Sequence, residues 1–323
     1  MTIRHLKQWA SVLLLAALSL PAIAQERWPA RPVRIVVPYG AGGSLDITVR
    51  LVAQRLSELW QQPVLVENRP GGNGILGTEI VLKAAPDGHV LGGGASPIHT
   101  ANKLLIANLP YDPDRDIVPI TLLAKNPLFL VVHPSVPATT LPEFITWARA
   151  NPARVSFGSV GPGSPQHVAF ETLKQRAGFE ALHVPYKAAS AATQDLLAGQ
   201  ITAMIDTTAM QQVRSGKLRA IAVAGDERFA GEPALPAFGE SGIRGFEFSG
   251  WFSLFGPRGM PPALVERISA DTNRVLANPE LRARLLEVFT VPVGGSPADF
   301  AAFIRRQMSM LEAAYQAAGI RPE

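Results

Sequence analysis

From Val33 onward, short apolar runs alternate with longer stretches in which apolar residues recur every three or four positions. The first kind reads as buried strand, the second as amphipathic helix. Val33-Arg34-Ile35-Val36-Val37 is rich in β-branched residues and predicts a strand. It runs into Pro38-Tyr39-Gly40-Ala41-Gly42-Gly43, which suits neither helix nor regular strand. Ser44 then reads as an N-cap, and Leu45, Val49, Val52, Leu56 and Leu59 fall on one helical face. The same order of strand, glycine loop and capped helix returns over residues 155–159, 160–163 and Ser164-Pro165. Further strands are expected at 64–66, 120–124, 128–132, 182–185, 201–206 and 218–224. Another begins at Val90-Leu91 and is expected to end at Gly92-Gly93-Gly94. Residues 109–119, rich in Asp and Pro, read as a surface connection. The strands at 120–124 and 128–132 should bracket a short turn, where the chain first crosses between domains. Thr140-Leu141-Pro142-Glu143 and Ser296-Pro297-Ala298-Asp299 carry capping-box patterns, the second opening a last long helix. Phe246, Phe248, Trp251, Phe252 and Phe255 form an aromatic cluster for which core is the commoner role.

Strands separated by helices predict an α/β fold with parallel or mixed sheets flanked by helices. In such sheets ligands bind beyond the carboxyl ends of the strands, where the glycine loops of this chain fall. Glycine lets a backbone approach a ligand closely, and a helix behind it offers unpaired N–H groups and the positive end of its dipole. An anion is the natural occupant of each loop, although a tight turn that binds nothing has the same sequence. Asp46, in the first turn, reads as an organiser of its loop. In the second loop Ser159 and Ser164 can donate to a carboxylate. His167 lies one turn into the helix, whose dipole should lower its pKa, and reads as a neutral packing residue. Gly72-Asn73-Gly74-Ile75-Leu76-Gly77 matches G-x-G-x-x-G. Five residues separate it from the preceding strand, which argues against a dinucleotide site.

The N-terminus changes the setting. Arg4 and Lys7, an apolar run from Trp9 to Leu20, and Ala22-Ile23-Ala24 have the order of a signal peptide cleaved after Ala24. A periplasmic location is therefore expected. The 323 residues contain no cysteine, which removes disulfides, thiol nucleophiles and a lipid-anchoring cysteine. The formal net charge of +4 is scattered, with no basic run, so no nucleic-acid partner is expected. No histidine spacing marks a metal site, and no nucleophile elbow, HExxH or Walker motif is present. Neither cofactor, metal nor catalytic residue is expected.

Residues 32–46, quoted above in part, resemble the opening of the Bug family, the substrate receptors of tripartite tricarboxylate transporters. The resemblance continues through residues 64–74, Ala84-Ala85-Pro86-Asp87-Gly88, Leu109-Pro110-Tyr111-Asp112 and Phe157-Gly158-Ser159 with Gly161, Gly163, Ser164 and His167. It recurs at His183-Val184-Pro185-Tyr186-Lys187, Ser215-Gly216-Lys217-Leu218-Arg219-Ala220, Trp251-Phe252 and Ala318-Gly319-Ile320. It implies a two-lobe Venus-flytrap fold of the type II-like periplasmic-binding class. The expected parts are 25–124 and 248–323 for the first lobe and 125–247 for the second, with the last helix packing back across the lobes. It implies that the first loop (Tyr39, Ala41, Gly42, Gly43, Ser44, with Asp46) and the second (Ser159, Gly163, Ser164, His167) grip one ligand carboxylate, partly through ordered waters. Tyr186, Lys187, Asp206 and Thr207, with Ala95 and Ser96, should then choose the rest of the ligand. The partners implied are a small carboxylate (dicarboxylate, amino acid or aromatic acid) and the membrane subunits of a tripartite transporter, with the receptor a monomer. The sequence departs from the family pattern at Ala188, commonly Gly, and at Thr207-Thr208, where Asn is common. An inward-facing Asp206 would favour an amine or hydroxyl over a second carboxylate. A periplasmic sensor with the same site, or an exported enzyme using the cleft, are the competing readings.

Overall fold

The computed structural model describes residues 28–246, 248–317 and 319–320. The expected signal peptide and its cleavage point lie outside the described residues. The chain opens with β1 (Val33–Val37), α1 (Ser44–Trp60), β2 (Val64–Asn68), α2 (Ile75–Leu82) and β3 (Val90–Ala95). β1 pairs in parallel with both β2 and β3. Three short helices follow, α3 (Ser96–His99), α4 (Ala101–Leu105) and α5 (Pro113–Asp116), and then the long β4 (Ile117–Pro127). The next strand, β5 (Phe129–Val132), belongs to a different sheet. That sheet is built with α6 (Leu141–Ala150), β6 (Ser156–Ser159), α7 (Pro165–Ala177), β7 (Leu182–Pro185), α8 (Ala189–Leu197), β8 (Ala203–Ile205), α9 (Met210–Arg214) and β9 (Arg219–Val223). β10 (Ser249–Pro257) returns to the first sheet, followed by α10 (Pro262–Leu276), α11 (Pro279–Glu287), β11 (Val291–Pro292) and α12 (Pro297–Ala317).

The first sheet has the order β11-β4-β10-β3-β1-β2, the second β7-β6-β8-β5-β9. Both are mixed. In the first, β10 runs antiparallel to β3 and β4. In the second, β6 is parallel to β7 and β8, while β5 is antiparallel to β8 and β9. The two-sheet α/β architecture is therefore the one the alternating pattern implied.

Each sheet is held by the stripe the sequence shows. Leu45, Val49, Val52 and Leu56 of α1 pack with Val33, Ile35 and Val37 of β1 and Leu254 of β10 in one core. Phe144, Phe157, Phe170 and Phe246 anchor a core on the second sheet. The aromatic cluster at 246–255 is core throughout, with every member under 9% exposed. α12 joins both bodies. Its first turns set Phe300 and Phe303 against Trp251 and Leu122 of the first sheet, and its last set Leu311 and Tyr315 in the core of the second.

Three sequence readings are corrected. Gly92, Gly93 and Gly94 do not end a strand but lie inside β3. A Cβ on Gly92 would stand 2.1 Å from Phe255 Cζ, and one on Gly93 2.7 Å from Val49 Cγ2. The glycines are there so that Phe255 and α1 can close on the strand. No turn separates the strands at 120–124 and 128–132. β4 runs on to Pro127, and Leu128 alone divides it from β5. The segment 109–119 is more than a surface connection, since it holds α5, the start of β4 and the buried Tyr111, whose hydroxyl donates to the Ile98 carbonyl at 3.0 Å.

Gly92→Ala should destabilise the protein by about 1–3 kcal/mol, the usual cost of overpacking a closed core. Urea unfolding measures this. Combining it with Phe255→Leu should recover part of the loss, and an unperturbed single variant would contradict the packing role given to Gly92.

Candidate ligand-binding site

Because β1 and β3 are parallel neighbours, the loop after β1 and the start of α3 emerge on the same sheet edge. Tyr39 to Ser44 thus come beside Ala95 and Ser96. Gly40 to Gly43 are exposed. Gly42 has φ +82°, a conformation glycine adopts without strain. The cap of α1 is Gly43 and not Ser44, and no side chain caps it, so Ser44 is the first helical residue. Asp46 does not cap the helix but holds the loop ahead of it. It is 3% exposed, and its Oδ2 accepts the Gly42 N–H at 2.8 Å. Asn68 Nδ2 donates to Asp46 Oδ1 at 2.9 Å and to the Tyr39 carbonyl at 3.1 Å. Arg50 Nε reaches the same carboxylate at 3.0 Å. Burial alone would push the Asp46 carboxyl up. The hydrogen bonds from Arg50, Gly42 and Asn68 outweigh it and hold the group below the ordinary carboxylate range. Asp46 thus shapes the loop from beneath and leaves the first-turn N–H groups of α1 free of intrahelical partners.

The G-x-G-x-x-G stretch serves this same loop. A Cβ on Gly77 would meet Pro38 Cα at 2.7 Å, and one on Gly74 would meet Tyr39 Oη at 3.0 Å. Its glycines let Pro38 and Tyr39 pack down, a role unrelated to a dinucleotide.

The second loop leaves β6 beside the ends of β7 and β8, which are parallel to it. Ser159 and the loop to Ser164 therefore share an edge with Tyr186, Lys187, Asp206 and Thr207. This loop satisfies itself to a degree the sequence does not reveal. Ser159 Oγ donates to the Gly161 carbonyl at 3.1 Å, accepts the Gly161 N–H at 3.1 Å and sits 2.7 Å from His183 Nε2. It is 1% exposed, which corrects the expectation of a hydroxyl aimed at a ligand. The Gly163 N–H donates to His167 Nδ1 at 3.0 Å, and the Ser164 N–H to the Gly161 carbonyl at 3.2 Å. Ser164 caps α7 as predicted, accepting the His167 N–H through its side chain. Its hydroxyl proton remains to be given.

His167 and His183 stack with ring centroids 3.9 Å apart, on Phe157 and Phe170. Burial lowers the His167 pKa to about 4, with Lys174 adding to it. The helix dipole is therefore not the leading cause. His183 is also lowered to about 4, by burial and then by His167. The neutral His167 is what lets Nδ1 accept from Gly163.

The remaining predicted residues divide. The Tyr186 hydroxyl donates to Asp195 Oδ2 at 2.8 Å, and burial and that carboxylate raise its pKa to about 12. Lys187 is exposed. Thr207 Oγ1 donates to the Pro127 carbonyl, where the chain passes between sheets. Asp206 is 2% exposed, its Oδ1 held by the Thr208 N–H and hydroxyl at 2.6 and 2.5 Å and its Oδ2 by Gln166 Nε2 at 2.7 Å. Gln166 was not singled out in the sequence, where only its place in the first turn of α7 marks it. Asn73 and Asn102 were missed too. Tyr39 Oη donates to the Asn73 carbonyl at 3.4 Å, and Asn73 Nδ2 to Asn102 Oδ1 at 2.7 Å. Asn102 lies on α4, whose Leu105 packs so closely on Gly163 that a Cβ there would meet it at 2.8 Å. The Tyr315 hydroxyl donates to the Gly163 carbonyl at 2.7 Å. A few side chains thus run from one glycine loop to the other. Among the described residues no group of three His, Cys, Asp or Glu is arranged to hold a metal ion.

Two mixed sheets, each with a glycine loop at its strand ends, define a two-lobe α/β protein. The model of the tripartite tricarboxylate transporter family receptor, TctC, matches residues 48–320. A Pseudomonas sp. (strain P51) protein from the tcbD-tcbE intergenic region is 36% identical over 275 residues, 84% of this chain and 82% of its own. BugT of Bordetella pertussis is 31% identical over 286 residues, 87% of each chain. The solved structure of R. palustris Rpa4515 with adipate superposes with a TM-score of 0.81 at 32% identity, covering 92% of this chain and all of that one. MatC from Rhodopseudomonas palustris with bound malate gives 0.73 at 30% identity, covering 89% and 99%. The chain belongs to the TctC, or Bug, family of tripartite tricarboxylate transporter receptors.

Folding holds His167 and His183 neutral below the pH at which the unfolded chain takes up protons. Their contribution to stability is complete above about pH 6.5 and is lost as the pH falls toward about 4. The denaturant midpoint should fall across that window. His167→Asn keeps an acceptor for the Gly163 N–H and should flatten the fall. Equal slopes in the two proteins would contradict the neutral stacked pair.

Proposed function

We propose that the protein is a periplasmic receptor that captures a small carboxylate between its two lobes and presents it to the membrane subunits of a tripartite tricarboxylate transporter. One observation carries this reading. Two glycine loops, each followed by the N-terminus of a long helix, are set at sheet edges and joined by the contacts of Tyr39, Asn73, Asn102 and Leu105. The first offers the N–H groups opening α1. The second offers the Ser164 hydroxyl and the first turn of α7. Such donors suit a carboxylate directly or through bridging water, with no arginine needed. Adipate and malate, bound by two structural neighbours, belong to this chemical class.

In this reading residues 25–127 and 249–323 form one lobe and the residues between them the other. The first crossing falls three residues past the expected 124 because β4 runs on to Pro127 within the first sheet. Leu128 and the segment after β9 carry the chain between sheets and would form the hinge. Closure follows if the ligand binds the closed form more tightly than the open one. The leader at 1–24 supports a periplasmic location and a receptor released after Ala24. No catalytic role is assigned. The stacked histidines and Ser159 are used in holding the loop.

Native mass spectrometry of the purified protein should show a retained small acid. A thermal-shift panel of dicarboxylates, amino acids and aromatic acids should raise the unfolding temperature for one class. Gly43→Leu tests the site. A Cβ at Gly43 meets only the Gly40 carbonyl, at 3.9 Å, so stability should change by under about 0.5 kcal/mol while binding is lost. Full binding in this variant, or stabilisation by no carboxylic acid, would contradict the reading.

A further inference from the structure

We propose that the five-residue helix α4 sets the spacing between the two glycine loops, with Asn102 and Leu105 as the positioning residues. This inference rests on the carboxylate-binding reading above and concerns how one carboxylate is shared between the loops.

α4 is too short to be held by its own hydrogen bonds. Its neighbours hold it. Ala101 lies in the core of the second sheet, and Leu104 and Leu105 pack against that core. Lys103 pairs with Asp114 and, at 3.6 Å, with Asp112, which ties the outer face to the start of α5. The helix is thereby fixed to both bodies.

Asn102 acts on the first loop. It is wholly buried and holds Asn73 twice. Its Nδ2 donates to the Asn73 carbonyl at 3.2 Å, and its Oδ1 accepts from Asn73 Nδ2 at 2.7 Å. Asn73 has φ +52°, uncommon for a residue other than glycine, and this double grip keeps it there. The same carbonyl accepts the Tyr39 hydroxyl at 3.4 Å, and Tyr39 opens the loop ahead of α1.

Leu105, one turn on, acts on the second loop. A Cβ on Gly163 would stand 2.8 Å from Leu105 Cδ1, so only glycine lets the two close. The Gly163 N–H goes to His167, and its carbonyl takes the Tyr315 hydroxyl. With its N–H, carbonyl and α-carbon all engaged, Gly163 places the next residue, Ser164, whose hydroxyl the binding reading uses.

A helix rises ~1.5 Å per residue, so the two anchor points lie about 4.5 Å apart along its axis. Helix geometry fixes that separation, not the glycines. Two donor sets that share one carboxylate gain from a fixed spacing, because no ordering is left to be done on binding.

Calorimetric titration with succinate, malate, adipate, glutamate and benzoate tests the assignment on the folded protein. For any acid the unaltered protein binds, Leu105→Ala should weaken binding by about tenfold, the scale of one hydrogen bond lost from an anion. Leu105→Met refills the space at Gly163 and should restore it. Asn102→Leu should weaken binding by a similar factor. Asn73→Gly keeps the left-handed turn, drops the side-chain bond and gives the milder cut if the Asn102 variant fails to fold. Joining Leu105→Ala to either change should cost little more than one alone, since the spacing is lost once; independent effects would multiply. A merely structural α4 would lower the urea midpoint and leave the dissociation constants unchanged. Unchanged affinity in the single variants, or losses that multiply in the double one, overturns the inference and leaves the carboxylate reading standing. Binding of no panel member by the unaltered protein contradicts both.

Discussion

A run of glycines has no preferred shape, so a binding loop made of them needs a buried acceptor to hold its N–H groups in place. Both loops of this receptor have one. Under the first, Asp46 takes the Gly42 N–H and is steadied by Asn68 and Arg50. Under the second, Ser159 takes the Gly161 N–H and His167 the Gly163 N–H. The solution differs in chemistry. A carboxylate can sit under the first loop because three partners solvate it inside the protein. Stacked neutral imidazoles sit under the second, which adds no negative charge beside the proposed anion site. The electrostatics of the two helix starts are therefore preserved on one side by neutralisation and on the other by neutrality.

The rest of the architecture delivers these loops to one place. β10 enters between β3 and β4, which welds the returning chain to the part where it began. Gly92 and Gly93 make room for that strand's Phe255 and for α1. α12 then packs on both bodies and reaches the second loop through the Tyr315 hydroxyl on the Gly163 carbonyl. A loop contact is thus made by a residue far away in sequence, which ties the shape of the second loop to the packing of the last helix.

The strands, the capped starts of α6, α7 and α12, and the two glycine loops were legible because each rests on local chemistry. β-branched runs, Thr-x-x-Glu and Ser-Pro act over a few residues. The glycines of β3 were misread because their cause, Phe255, lies across the sheet and leaves no local trace. Ser44 was misread as the cap because its type suits that position, while the extended backbone that marks the cap falls one residue earlier, at Gly43. Ser159 was placed at the right edge, but its engagement with His183 depends on the pairing of β6 with β7. Gln166 escaped notice for a related reason. Its partner Asp206 lies forty residues later, and the adjacent ends of β6 and β8 bring the two together.

The most direct measurement is a crystal structure of the receptor loaded with the acid it binds. The account predicts a carboxylate lodged against the backbone that opens α1 and against the Ser164 side chain, in direct or single-water contact with each. A ligand whose acidic group lies at another surface, with both glycine loops empty, would contradict it.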